Sequence, residues 1–100
     1  MTPTEAMRRN VEALKARGPQ YAPTVMTMAR RLARKAAERE LQAQGLRPQR
    51  MESSDIRRVA QAYFDGHLAE LIAEAEQQVL SNPTLRAMAL PQPYRKRAAS

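Results

Sequence analysis

Apolar residues recur along this chain three and four positions apart, the spacing that lays one stripe along an α-helix, and Gly, Pro and Asn punctuate the stripes. The first stripe is Met7, Val11 and Leu14. Ahead of it Thr2 is a cap and Pro3 suits the first turn, while Glu5 reaches back as in a capping box. Gly18 and Pro19 end the element, and residues 19–23, with Tyr21 between two prolines, read as an ordered corner or a short linker.

A second helix is predicted over residues 24–44, stopped by Gly45 and then Pro48. At about 100° per residue, Val25, Met26, Met28, Ala29, Leu32, Ala33, Ala36 and Ala37 form one broad apolar face. Arg30, Arg31, Arg34 and Lys35 fall on the other side, and Arg34 with Glu38 is an i,i+4 ion pair on paper.

After a connection over residues 45–52, Ser53 or Ser54 is expected to cap a third stretch, with Asp55 favourably placed at its positive end. Its first apolar set is Ile56, Val59, Ala60 and Tyr63. The second set, Leu68, Leu71, Ile72, Ala75 and Val79, points roughly 90° away on the same projection, so the helix kinks at Asp65 and Gly66 or, the preferred reading, breaks into helices over 55–65 and 67–80. Asn82 and Pro83 start a short helix carrying Leu85 and Met88, and Pro91 and Pro93 prevent its continuation. The fold expected is therefore an all-α bundle of four to five short helices over residues 1–90. Residues 91–100, with Tyr94, Arg95, Lys96 and Arg97, read as a basic, flexible tail.

Composition changes this picture in one respect. Leu, Ile, Val and Phe number sixteen of 100 residues, fewer than a charged chain ordinarily uses to fold alone, while eighteen alanines and six methionines make up part of the shortfall. Homodimerisation or a helical protein partner is the expectation that follows. Without cysteine, disulfide and thiolate chemistry are excluded. With no apolar run of membrane-span length and no signal-peptide stretch, a cytoplasmic protein without membrane contact is expected.

Charge is unevenly distributed. The net +7 comes from fourteen Arg and three Lys against ten carboxylates. Residues 59–81 hold four acids, Asp65, Glu70, Glu74 and Glu76, and no Arg or Lys. A phosphate-binding surface must then come from the second helix, residues 45–58 or the tail. Its expected members are Arg30, Arg31, Arg34 and Lys35, joined by Arg47, Arg50, Arg57 and Arg58 as one surface. The plainer alternatives are a solvated helix face, a GC-rich genome that inflates Arg and Ala, and neutralisation of the ridge by the acidic helix. The connection before the third helix exceeds the turn of a helix-turn-helix, and no aromatic residues interleave with the basic ones.

Other groups suggest no chemistry of their own. His67, the one histidine, stands at helical spacing from Glu70 and Glu74, but bundle di-iron sites need two Glu-x-x-His motifs and further glutamates, so no metal and no cofactor is expected. Ser53, Ser54 and Asp55 lack a supporting histidine motif and read as capping residues. Met26, Met28, Met51 and Met88 suit core filling or an adaptable binding face. The expected function is a small non-enzymatic accessory protein of bacterial or phage type that binds nucleic acid or a nucleoprotein complex through its Arg-rich helix face. The alternative is an interaction module, an inhibitor, adaptor or assembly subunit, docking through an Ala- and Met-rich surface.

Overall fold

The longest stripe of small and apolar residues sets the architecture. In the computed structural model, which describes residues 2–91, this stripe lies on α2 (Tyr21–Ala43), and α2 packs against every other element. These are α1 (Pro3–Lys15), a 3₁₀ turn at Pro48–Arg50, α3 (Ser53–Gly66), α4 (Leu68–Ser81) and α5 (Pro83–Ala89). The all-α bundle expected from the sequence is what forms, and the described residues contain no strand. The molecule is long and thin, 59 × 31 × 20 Å, as befits helices layered along one ~35 Å spine.

The core is built from seven buried alanines as much as from large side chains. Tyr21, Ala22, Val25, Ala29 and Ala33 of α2 meet Phe64 of α3 and Leu68, Leu71, Ile72, Ala75 and Val79 of α4, and Leu14 of α1 and Ala89 of α5 join the same cluster. Further along, Ala36, Ala37 and Leu41 are buried on the same α2 face, as are Pro48 and Ile56 on the segments that follow. Small side chains bring helix axes toward the short end of the ~8–10 Å packing range. A thin supply of large apolar residues can thus still exclude water, because contact is made at short range rather than by bulk.

Helix ends largely follow their sequence signals. The Thr2 Oγ1 accepts from the Glu5 N–H at 3.1 Å and Glu5 Oε1 accepts from the Thr2 N–H at 3.0 Å, completing the capping box. Asn82 Oδ1 accepts from the N–H groups of Thr84 and Leu85. At the end of α2, Gly45 adopts φ +86°, and the Leu46 N–H donates to the Leu41 carbonyl while the Gly45 N–H donates to that of Gln42. That pair of bonds is the Schellman closure, and it depends on a left-handed residue.

Three expectations need correction. α2 begins at Tyr21, not Thr24, because Pro23 falls within the first turn, where its missing N–H has no intrahelical carbonyl to lose. Ser53 and Ser54 do not cap α3: Glu52 is the cap residue, without a side-chain bond, and the Asp55 N–H is satisfied by the Glu52 carbonyl. The break between α3 and α4 is present but centred on His67, at φ −128° and ψ 28°, with Gly66 still helical. The His67 ring stacks on Tyr63 at 3.9 Å between centroids, and its Nδ1 lies 3.0 Å from the Tyr63 carbonyl, so a one-residue break is enough to turn the apolar face. Of the tail expected over residues 91–100, residues 92–100 lie outside the described residues.

One polar cluster locks α2 to α4. Tyr21 is fully buried along its ring, and its hydroxyl donates to Glu76 Oε1 at 2.6 Å. Arg17 Nη1 reaches the same carboxylate oxygen and the Tyr21 hydroxyl, each at 3.2 Å, with its guanidinium carbon 4.6 Å from the Tyr21 ring centre. Burial pushes the Tyr21 hydroxyl up to about 12; its hydrogen bond to Glu76 and the carboxylate charge add to this, and Arg17 acts the other way.

Because the folded state holds the Tyr21 proton more tightly than the unfolded state, its stabilisation is whole below pH ~10 and is lost as pH rises from there through about 12. Tyr21→Phe should therefore remove a tyrosinate absorbance step near the upper end of that window and cost about 1–2 kcal/mol at neutral pH. If the missing step instead lies near pH 10, the cluster does not hold the proton. The two exposed glycines at helix ends should respond oppositely. Gly66→Ala, where a Cβ meets nothing within 4 Å, should raise stability by up to about 1 kcal/mol, and Gly45→Ala should lower it by about 1–2 kcal/mol. Thermal melts of the two variants check the sign.

Candidate nucleic-acid interface

On α2, residues four apart are nearly in line, so Arg30 and Arg34 form one row and Arg31 and Lys35 another, about 100° further round the helix. The neighbours of α2 then decide what each row does. α3 returns along α2 beside the first row, and the small residues Ala33 and Ala60 leave a groove of about 280 Å³ there. Arg30 and Arg34 from α2 and Arg57 from α3 border it, and Gln61 and Phe64 complete its lining.

Each guanidinium of the groove is held differently. Arg30 lies over the ring of Phe64, 4.6 Å from its centre, and Phe64 is buried in the core. Arg34 Nε is 3.3 Å from Glu38 Oε2, the i,i+4 pair read from the sequence; both side chains are well exposed, so the pair is worth little and is readily exchanged for another anion. Arg57 makes no ion pair among the described residues, and neither does Arg30. Three cationic groups border the groove against Glu38 and, hydrogen-bonded to the lining residue Gln61, Asp65, which leaves a net positive charge there.

The remaining expected members divide. Arg31 does not join the groove: it stands beside Pro23, Thr24, Thr27, Met28, Leu85 and Met88, around a second hollow of about 250 Å³ between α2 and α5. The single continuous ridge expected from the sequence is thus split, because α5 takes up the far side of α2. Lys35 is exposed and makes no ion pair among the described residues. Arg47 and Arg50 are exposed at the 3₁₀ turn, whose buried Pro48 anchors that turn. Arg58 is exposed and paired with Asp55, one turn earlier on α3.

The acids of residues 59–81 do not pair with these groups within the described chain. Glu76 belongs to Arg17 and Tyr21, Glu74 Oε2 accepts from Gln78 at 3.3 Å, and Asp65 Oδ1 accepts from the groove residue Gln61 at 2.9 Å. Glu70 is exposed.

Other candidate chemistry does not assemble. Among the described residues no three His, Cys, Asp or Glu side chains converge as a metal site. A larger hollow of about 840 Å³ at the α4–α5 turn is lined by Gln77, Gln78, Leu80, Ser81, Asn82 and Pro83, without a titratable group. Of the two uses open to Met88, core filling and an adaptable binding face, its position rules out the first: it is 57 % exposed, and Ala89 takes the buried position on α5. Two features escaped sequence reasoning: the Arg17–Tyr21–Glu76 cluster and the seating of Arg30 on Phe64. Both join residues more than thirty positions apart, and only the aromatic identity of Tyr21 and Phe64 marked them in advance. Comparison of the chain with family models, with curated proteins and with solved structures finds no match.

Proposed function

We propose that this protein is a small accessory protein that binds nucleic acid or a nucleoprotein complex through the groove bordered by Arg30, Arg34 and Arg57. The observation that carries this reading is the convergence of three guanidiniums from two helices on one groove, with only Glu38 paired to any of them. Guanidinium groups suit phosphate because their planar donors meet two oxygens at once. Lys35, Arg47 and Arg50, exposed elsewhere on α2 and on the 3₁₀ turn, extend the positive field beyond the groove. Binding in this reading is to the phosphate backbone and indifferent to sequence. Catalysis and cofactors have no part in this reading, and the setting it implies is the cytoplasm.

A second reading rests on the other hollow. Met88 and its neighbours Met28 and Leu85 form an apolar patch beside Arg31, which suits a helical protein partner or a second copy of the chain. Self-association there would make the melting temperature rise with protein concentration, and Met88→Glu would abolish that rise.

The nucleic-acid reading is tested with the double variant Arg34→Ala, Arg57→Ala. Its affinity for any duplex should fall about equally, and the slope of log affinity against log salt should flatten by roughly one unit per lost phosphate contact. Its melting temperature should hold. Unchanged duplex affinity in about 50 mM salt together with a lowered melting temperature would assign these arginines to structure instead.

A further inference from the structure

From the way the aromatic rings are covered, we infer that the nucleic acid taken by the Arg30, Arg34 and Arg57 groove is double-helical, read through its phosphate backbone, and not a single strand. This rests on the nucleic-acid reading above and narrows its ligand. Proteins that hold single strands combine a basic groove with aromatic faces on which bases stack. Three aromatic residues, Tyr21, Tyr63 and Phe64, lie among the described ones, and each already has a planar group against a face. Phe64, the ring nearest the guanidiniums, is 1 % exposed and has Arg30 over it at 4.6 Å. Tyr21 is fully buried beneath Arg17. Tyr63 is half-buried and stacked at an interplanar angle of 14° against His67.

A groove that offers guanidiniums and no open aromatic face responds chiefly to charge density. Duplex affinity then falls with log salt at about −0.9 per phosphate contact and single-strand affinity at about −0.7. Three contacts give slopes of about −2.7 and −2.1, so that from equal affinities at about 1 M salt the duplex is favoured roughly sixfold at about 50 mM. One stacked base is worth roughly fivefold or more in the other direction, so two such bases would reverse the order. The sign of the preference therefore reports on the aromatic faces.

Anisotropy titrations of the full chain carrying Tyr94→Ala, which removes the one aromatic ring beyond the described residues, test this at several salt concentrations. The probes are a duplex of about two helical turns, as DNA and as RNA, and an unstructured pyrimidine strand of the same length. The expected result is a duplex advantage of several-fold with the steeper salt slope, for either polymer. A single strand bound as tightly as both duplexes, or more tightly, overturns the inference and leaves the nucleic-acid reading standing. Absence of binding by all three probes at low salt overturns both.

Discussion

Everything in this molecule depends on how closely α3 and α4 approach α2, and that approach is permitted by alanine. Ala22, Ala29, Ala33, Ala36 and Ala37 are buried where longer side chains would hold the helices apart. Close packing is directional in its consequences. It buries the alanines at the centre of the α2 face, and it brings the edges of that face, where the arginines stand, up against whatever flanks them. Arg30 and Arg34 meet α3 and border a groove; Arg31 meets α5 and borders a different one. Exchanging Ala33 for a bulky residue would disturb the core and the groove together, since Ala33 is buried and also lines the groove.

The acids of residues 59–81 are thereby kept from neutralising the arginines of α2 and α3. Of the four acids in residues 59–81, Glu76 is turned inward to the Tyr21 hydroxyl, where it fastens α4 to the start of α2. Asp65 and Glu74 accept from glutamine amides, and Glu70 is exposed. A buried hydroxyl donating to a carboxylate that also meets a guanidinium is well satisfied, which lets a polar cluster sit beside an alanine core without an orphaned group.

The fold was legible in the sequence because its signals are local. Thr2 with Glu5 and Asn82 with Pro83 each start a helix where expected and Gly45 stops one, and all act within a few residues. The change of apolar direction near Gly66 likewise announced the α3–α4 break, although the residue that leaves helical geometry is His67. Pro23 misled the placement of the α2 start because a proline inside the first turn and a proline in a linker look alike from sequence. The site was legible only in part. The helical projection separates Arg30 from Arg31 by one row, but which row meets α3 depends on the order in which helices pack, and no short stretch of sequence records that order.

Arg30 on Phe64 has a consequence for the thermodynamics of capture. A free arginine loses much of its rotational freedom when it grips an anion, on the order of 0.5–1.5 kcal/mol for a side chain of that kind. Arg30 has its guanidinium carbon over a ring that the core itself immobilises. Part of the ordering has therefore already taken place during folding, and an anion arriving at the groove meets a donor edge that is oriented beforehand.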